Sequence, residues 1–145
     1  MIEILCLGKI KEEYLKDLIS DYEKRINKYL KISIKELPDS QNIQDEEERI
    51  IKNLDGKSYK VLLDIDGIKM DSIKLSNFID KTFINYPKIT FIIGGSNGVT
   101  DKIKSVVDYR LSFSDFTFPH GLFRGILLEQ IYRSLKIINH ESYHK

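Results

Sequence analysis

The chain of 145 residues has one cysteine, no tryptophan, two methionines and three prolines. With Cys6 alone there is no internal disulfide framework and no thiolate-rich zinc site, since each needs at least two thiols. A lone cysteine within Ile2 to Leu7 reads as core. No apolar run approaches the ~20 residues that a membrane-spanning helix requires. Neither sign of charge prevails. Lys and Arg number 23 against 22 Asp and Glu, a formal net charge of +1, so any attraction to a polyanion must be local. Met1 to Leu7 lacks a basic n-region and a small-residue cleavage site, so it reads as a first strand, not a signal peptide, and the protein is expected in the cytoplasm. No repeat, low-complexity tract or linker interrupts the chain. At 41% hydrophobic and 31% charged residues it reads as one domain over 1–145.

What is present is an alternation of short apolar runs and helical patterns. Ile2 to Leu7 reads as a strand. Lys11 to Leu30 reads as an amphipathic helix, because Tyr14, Leu15, Leu18, Ile19, Tyr22, Ile26 and Tyr29 recur at helical spacing. Ile32 to Leu37 reads as a strand ended by Pro38, and Asp45 to Leu54 as a short charged helix. Tyr59 to Ile65 is a third strand closed by Asp66-Gly67, and Ser72 to Phe83 a helix. Ile89 to Ile93 is almost wholly β-branched, as expected of a strand buried on both faces. Thr100 caps a helix reaching about Asp108, Tyr109 to Phe113 is a fifth strand, and a long helix covers about Leu122 to Ile138. This order predicts an α/β fold, a mostly parallel sheet sandwiched by helices, with ligands beyond the carboxyl ends of the strands.

Two loops sit at such ends. Gly94-Gly95-Ser96-Asn97-Gly98 follows the fourth strand and matches neither the dinucleotide fingerprint nor a P-loop. It is either a backbone cradle for a cofactor or a tight strand-to-helix turn. After the fifth strand, Ser112, Ser114 and Thr117 alternate with Phe113, Phe116 and Phe118, which suits a flat heterocycle held by polar edges and apolar faces. Arg124 lies in the first turn of a helix, where the dipole disfavours a cation, so it is expected to bind an anion or a partner chain. Glu129 and Arg133 read as an i,i+4 ion pair, and Tyr132 as equally at home in the core. From His120 to Lys145, Arg124, Arg133, Lys136 and Lys145 oppose Glu129 and Glu141, 4 − 2 = +2, the balance of an ordinary mixed surface. His140 and His144 lack a third ligand, so no metal is expected. No Ser-His-Asp order, isolated carboxylate pair or activated cysteine points to hydrolysis, and a cofactor-borne transfer fits better.

Taken together, Phe91-Ile-Ile-Gly-Gly-Ser-Asn-Gly98, Leu111-Ser-Phe-Ser-Asp-Phe-Thr-Phe-Pro-His120, Arg124 with Leu127-Leu-Glu-Gln-Ile-Tyr-Arg133, and the ending Tyr143-His-Lys145 resemble the RlmH family of SPOUT methyltransferases. The resemblance covers the whole chain, including Leu7-Gly8-Lys9 and Tyr22 to Arg25. It implies a homodimer with a C-terminal trefoil knot that uses S-adenosylmethionine to methylate N3 of a pseudouridine in large-subunit ribosomal RNA. The family's cofactor contacts fall on Leu63, Gly94, Phe113, Ser114, Asp115, Phe116, Thr117 and Phe118. Its catalytic and substrate side falls on His144, Tyr143 and Arg124, with RNA contacts at Arg124, Arg133 and Lys145. The near-neutral charge adds the expectation that the assembled ribosome, not free RNA, is the substrate. Gly121, Gly125, Asp115 and His140-Glu141-Ser142 depart from the family pattern, and the two glycines are expected to weaken their helix by about 1 kcal/mol each. The alternatives are a non-enzymatic ribosome-binding factor on the same fold and a flavodoxin-like domain that binds a phosphorylated ligand.

Overall fold

Strand and helix alternate without exception along the computed structural model, which describes residues 1–145. The order is β1 (Ile2–Leu7), α1 (Glu13–Ile26), β2 (Ile32–Leu37), α2 (Ile43–Lys52), β3 (Ser58–Lys69), α3 (Ser72–Asn85), β4 (Lys88–Ile93), α4 (Asp101–Val106), β5 (Tyr109–Ser112) and α5 (His120–Ile138). All five strands are parallel, in the order β2-β1-β4-β3-β5. The largely apolar runs of β1 and β4, interrupted by Glu3 and Thr90, follow from this, because central strands of a parallel sheet are covered on both sides. Alternate residues serve different layers. Ile2, Ile4 and Cys6 of β1 join Phe91 and Ile93 of β4 under α1, α3 and α5. Leu5, Leu7 and Ile92 pack with Ile50 of α2 and Ile103 of α4 on the other side. Cys6 is fully buried and its thiol is pushed up to about 11, chiefly by that burial.

Asp66-Gly67 does not end the third strand, contrary to expectation. β3 continues to Lys69, with a register shift between Leu63 and Ile68 as it pairs with β5. The Asp66 amide donates to Asp64 Oδ1 at 3.1 Å, closing a local turn inside the bulge. A Cβ at Gly67 would stand 2.6 Å from the Arg110 carbonyl oxygen, so the glycine is what lets the bulge lie against β5. The strand resumes because β5, distant in sequence, offers a second set of backbone partners.

Gly121 and Gly125 have a packing reason. A Cβ at Gly125 would be 2.7 Å from Leu18 Cδ2, and one at Gly121 would be 2.9 Å from Leu15 Cδ1. The bare backbone of α5 lets α1 cross closely, and that contact offsets the propensity loss. At its other end α5 closes with the His140 amide donating to Ile137 O (3.1 Å) and the Glu141 amide to Lys136 O (2.9 Å). This is the paired bonding of a Schellman cap, with His140 at φ 56° where glycine is usual. His140→Gly is therefore expected to stabilise the fold by about 0.5–1 kcal/mol, relief of left-handed strain outweighing the added freedom of the unfolded chain. A calorimetric melt checks this, and an unchanged or lower Tm would refute it.

Candidate functional site

The bulge in the middle of β3 and the carboxyl ends of β4 and β5 open onto one cavity of about 480 Å³. Leu63, Asp64 and Ile65 come from the β3 bulge; Ile93, Gly94, Gly95, Gly98 and Val99 come from the glycine loop; Leu111 to Ser114 and Phe116 to Phe118 come from the β5 loop. The two loops anticipated as ligand-binding thus meet in space. Leu63, Gly94, Phe113, Ser114, Phe116, Thr117 and Phe118 all line the cavity, seven of the eight cofactor positions that the resemblance implied. Asp115 does not line it. Its carboxylate turns to Lys69 Nζ at 2.6 Å, on an exposed ion pair. Asp64, Ile65, Ile93, Val99, Lys104 and Phe123 also form the wall and were not anticipated. Phe123 had a signal, being the next aromatic after Phe113 and Phe118. The Asp64 and Ile65 positions depend on a bulge that no local pattern reveals.

The cavity is shaped by backbone as much as by side chains. At Gly94 a Cβ would sit 2.6 Å from Val99 Cγ1 and 3.3 Å from the Gly98 carbonyl oxygen, so only glycine fits. Gly98, at φ +80°, turns the chain back and donates its amide to Gly95 O at 3.0 Å. Asn97 Nδ2 donates to Ser40 O at 2.9 Å and to Glu46 Oε1 at 3.3 Å, which ties the loop to the start of α2. Glu46 is 2% exposed and also accepts from the Ser40 amide at 3.0 Å. The loop is therefore held from outside while its inner side stays bare.

On the opposite wall Phe123 packs edge-on to Phe113 (5.3 Å between ring centroids) and stacks on Phe118 (5.9 Å). Ser112 Oγ donates to Ser114 O at 3.2 Å, and Ser114 Oγ accepts from the Phe116 amide at 3.0 Å, so both hydroxyls brace the loop. The amides of Thr117 and Phe118 bond to nothing within the chain, which leaves two main-chain donors for a ligand. Apolar rings, a glycine backbone, free amides and the Asp64 carboxylate make a site for a heterocyclic molecule with polar edges.

The remaining predicted residues lie elsewhere. Arg133 Nη2 donates to Glu129 Oε1 at 2.5 Å, confirming the i,i+4 pair, and its guanidinium lies 4.8 Å from the centre of the Tyr143 ring. Tyr143 OH donates to Glu129 Oε1 at 3.3 Å, and its phenol is pushed up to about 12, chiefly by burial. Arg133 Nη1 lies 3.1 Å from His144 Nδ1. Since a guanidinium can only donate, Nδ1 accepts and the imidazole proton sits on Nε2. Lys145 is exposed beside them. Tyr132 is 8% exposed, a core residue as the periodicity allowed. Arg133 is ten residues beyond Phe123 on α5, about 15 Å along the helix axis. No group of three or more His, Cys, Asp or Glu is placed to hold a metal ion. No helix is long and apolar enough to cross a membrane.

Arg124 finds its anion within the chain. It is 1% exposed, its Nη1 donates to Glu36 Oε2 at 2.6 Å, and its Nη2 donates to Gly8 O at 3.3 Å. Glu36 also accepts from the Ile10 amide at 3.1 Å, so the pair locks the turn after β1 onto α5. Next to it His120 Nε2 meets Leu7 O at 3.1 Å, and burial holds that imidazole below its ordinary range.

Over residues 1–144 the chain matches the family model described as "Predicted SPOUT methyltransferase". It is 43% identical, over 157 aligned residues, to the ribosomal RNA large subunit methyltransferase H of Acetivibrio thermocellus, with 99% of both chains covered. To the protein of that name from Fusobacterium nucleatum it is 44% identical over 153 residues, again with 99% of both covered. Among solved structures the SpoU methyltransferase AviRb from Streptomyces viridochromogenes shares the fold, with a TM-score of 0.51 at 12% identity, over 98% of this chain and 62% of that one. By its sequence along almost its whole length, the chain belongs to the SPOUT methyltransferase family.

Proposed function

We propose that this protein is an S-adenosylmethionine-dependent methyltransferase of large-subunit ribosomal RNA that modifies N3 of a pseudouridine, working in the cytoplasm on the assembled ribosome. The observation that carries the reading is the cavity between the β3 bulge and the carboxyl ends of β4 and β5, where seven of the eight implied cofactor positions meet. The residues present fit the cofactor. Gly94, which Val99 and the Gly98 carbonyl hold to glycine, leaves a bare backbone at the cavity wall, the Thr117 and Phe118 amides are free to donate to an adenine edge, and Leu63, Phe113 and Phe118 supply apolar walls. Bound there, S-adenosylmethionine supplies an electrophilic methyl group on a sulfonium. The chain's part is to align the acceptor nitrogen with that methyl, which suffices for much of the rate. Loss of the N3 proton needs an acceptor. While Arg133 occupies Nδ1, His144 offers Nε2–H as a donor, which suits it to hold a substrate carbonyl while water takes the proton.

The reading includes the C-terminal knot and a homodimer. The axial distance from Phe123 to Arg133, about 15 Å, keeps the Arg133, Tyr143, His144 and Lys145 cluster away from its own cavity, so the tail of a second copy would complete the site. Phe116, 80% exposed, and Leu122, 38% exposed, give the cavity's surroundings an apolar character that a partner could cover. Arg124 enters the reading as the residue that positions the turn after β1, and Arg133 and Lys145 as the phosphate contacts.

Three measurements test this. Isothermal calorimetry is expected to show binding of S-adenosylmethionine and S-adenosylhomocysteine and none of flavin mononucleotide; flavin binding alone would replace the reading with a flavodoxin-like one. Transfer of labelled methyl is expected on whole ribosomes and not on naked ribosomal RNA, with mass mapping placing it on one pseudouridine. Cofactor binding without turnover would leave a ribosome-binding factor. For His144→Ala the turnover number is expected to fall roughly 10²-fold, as when a positioned hydrogen-bonding group is lost, without shifting the pH profile. A shifted profile would show that His144 is the base.

A further inference from the structure

From Lys24 to Lys35 the sequence carries five basic residues, Lys24, Arg25, Lys28, Lys31 and Lys35, and no acidic one, although the whole chain is only +1. The four lysines are exposed and form no ion pair. Negative charge gathers across the sheet instead, where Asp45, Glu46, Glu47 and Glu48 follow one another on α2. A near-zero sum therefore hides a molecule with a positive end. The helix dipole explains cations in the last turn of α1, such as Lys24 and Arg25. It does not explain Lys28, Lys31 and Lys35, which come after α1 has ended at Ile26.

Arg25, itself paired with Asp21 at 3.1 Å, links this end to the C-terminal tail. The Arg25 guanidinium lies 5.7 Å from the centre of the Tyr132 ring, Tyr132 meets Tyr143 edge-on at 5.0 Å, and Arg133 lies over Tyr143. Lys136 Nζ sits 5.6 Å from the centre of Tyr29, joining α5 to the turn after α1. Lys31 O accepts from the Ile2 amide at 2.9 Å, which sets the patch at the edge where the strands begin, away from the cavity of the same chain. We infer that the carboxyl end of α1, through Lys24, Lys28 and Lys31, is a surface that binds the RNA backbone and extends the tail's phosphate contacts. The occupant is nucleic acid, not an acidic protein, because none of the large exposed hydrophobic residues falls between Lys24 and Lys35. A stable protein interface needs apolar or aromatic anchors, whereas a polyanion is held by charge alone.

This inference rests on the ribosomal RNA reading above and locates its charge. Its test is the triple variant Lys24→Ala/Lys28→Ala/Lys31→Ala, with Lys74→Ala/Lys81→Ala on α3 as control. Fluorescence anisotropy with a labelled single-stranded RNA of about 20 nucleotides reads binding without cofactor or turnover. If all three lysines meet phosphates, affinity at about 0.1 M salt falls on the order of a hundredfold and the log–log salt slope becomes shallower by about 2. The control keeps wild-type affinity. In methyl transfer to ribosomes the triple variant has a raised KM with kcat and S-adenosylmethionine affinity unchanged. Unaltered RNA affinity and salt slope in the triple variant would overturn the inference. So would tighter binding of a poly-glutamate peptide than of the RNA at equal charge, which would give the surface to an acidic protein. Failure of the wild type to methylate ribosomes would strike the ribosomal RNA reading instead and leave the anisotropy result intact.

Discussion

Glu36→Ala lowers the unfolding free energy by about 3 kcal/mol in our expectation. The Arg124 side chain is 2% exposed and Glu36 34%, with 2.6 Å between their charged atoms. Removing the carboxylate leaves a buried guanidinium with the Gly8 carbonyl as its remaining partner, and it strips the Ile10 amide of its acceptor. Arg124 Nε already lacks a hydrogen-bond partner, so the site has no spare acceptor to take over. Breaking a buried ion pair from one side costs about 3–5 kcal/mol, and water reaching Glu36 brings the value to the lower end. For a chain of this size that is a fall in Tm of about 6–12 °C. Adding Arg124→Met should restore most of the loss, because an apolar chain of similar length removes the orphaned charge. A melt of Glu36→Ala within 2 °C of wild type would show that the pair does not brace the turn after β1.

Gly94→Val is the second large effect, and it falls on the cavity. The added Cβ begins 2.6 Å from Val99 Cγ1 and 3.3 Å from Gly98 O, so either the glycine loop moves or the branches of the new side chain enter the space next to the wall. Stability falls by about 1–3 kcal/mol, as for other overpacked sites. Affinity for S-adenosylmethionine falls at least about a hundredfold, roughly 2.7 kcal/mol, measured by calorimetry well below the variant's Tm. Asp115→Asn is the contrast. Its side chain faces Lys69 on the outside, so cofactor affinity should change less than about twofold. Wild-type affinity in Gly94→Val would mean that the ligand does not approach that backbone, and the cavity would lose its assignment.

How much could be read in the polymer depended on how local the cause was. β1 and β2 have the limits that their hydropathy patterns indicate, Ile2–Leu7 and Ile32–Leu37, because a two-residue period needs only neighbours. α1 is shorter than its periodicity, Glu13–Ile26 instead of Lys11 to Leu30, since the apolar residues beyond it pack from a turn without continuing the helix. The β3 bulge was illegible: Asp66-Gly67 has the chemistry of a turn, and only β5, over forty residues on, makes it a kink within a strand. Arg124 shows the same divide. Its misfit with the helix dipole was visible and its need for an anion followed, but that the anion is Glu36, 88 residues earlier, is a fact of tertiary packing.

The chain's order of residues by itself determined the α/β class, the apolar central strands, the glycine-rich and aromatic loops at two strand ends and, through four motifs, the family. These follow from short-range sterics and periodicity, or from patterns long enough to be specific. Tertiary structure alone decided that the glycine loop and the β5 loop share one cavity, that Asp115 turns away from it and that Gly121 and Gly125 admit α1. It also decided that Arg25 reaches the tail through Tyr132 and Tyr143. Each of these is set by which distant segments are pressed together as the sheet and its helices bury their apolar faces, and no window of neighbouring residues contains that information.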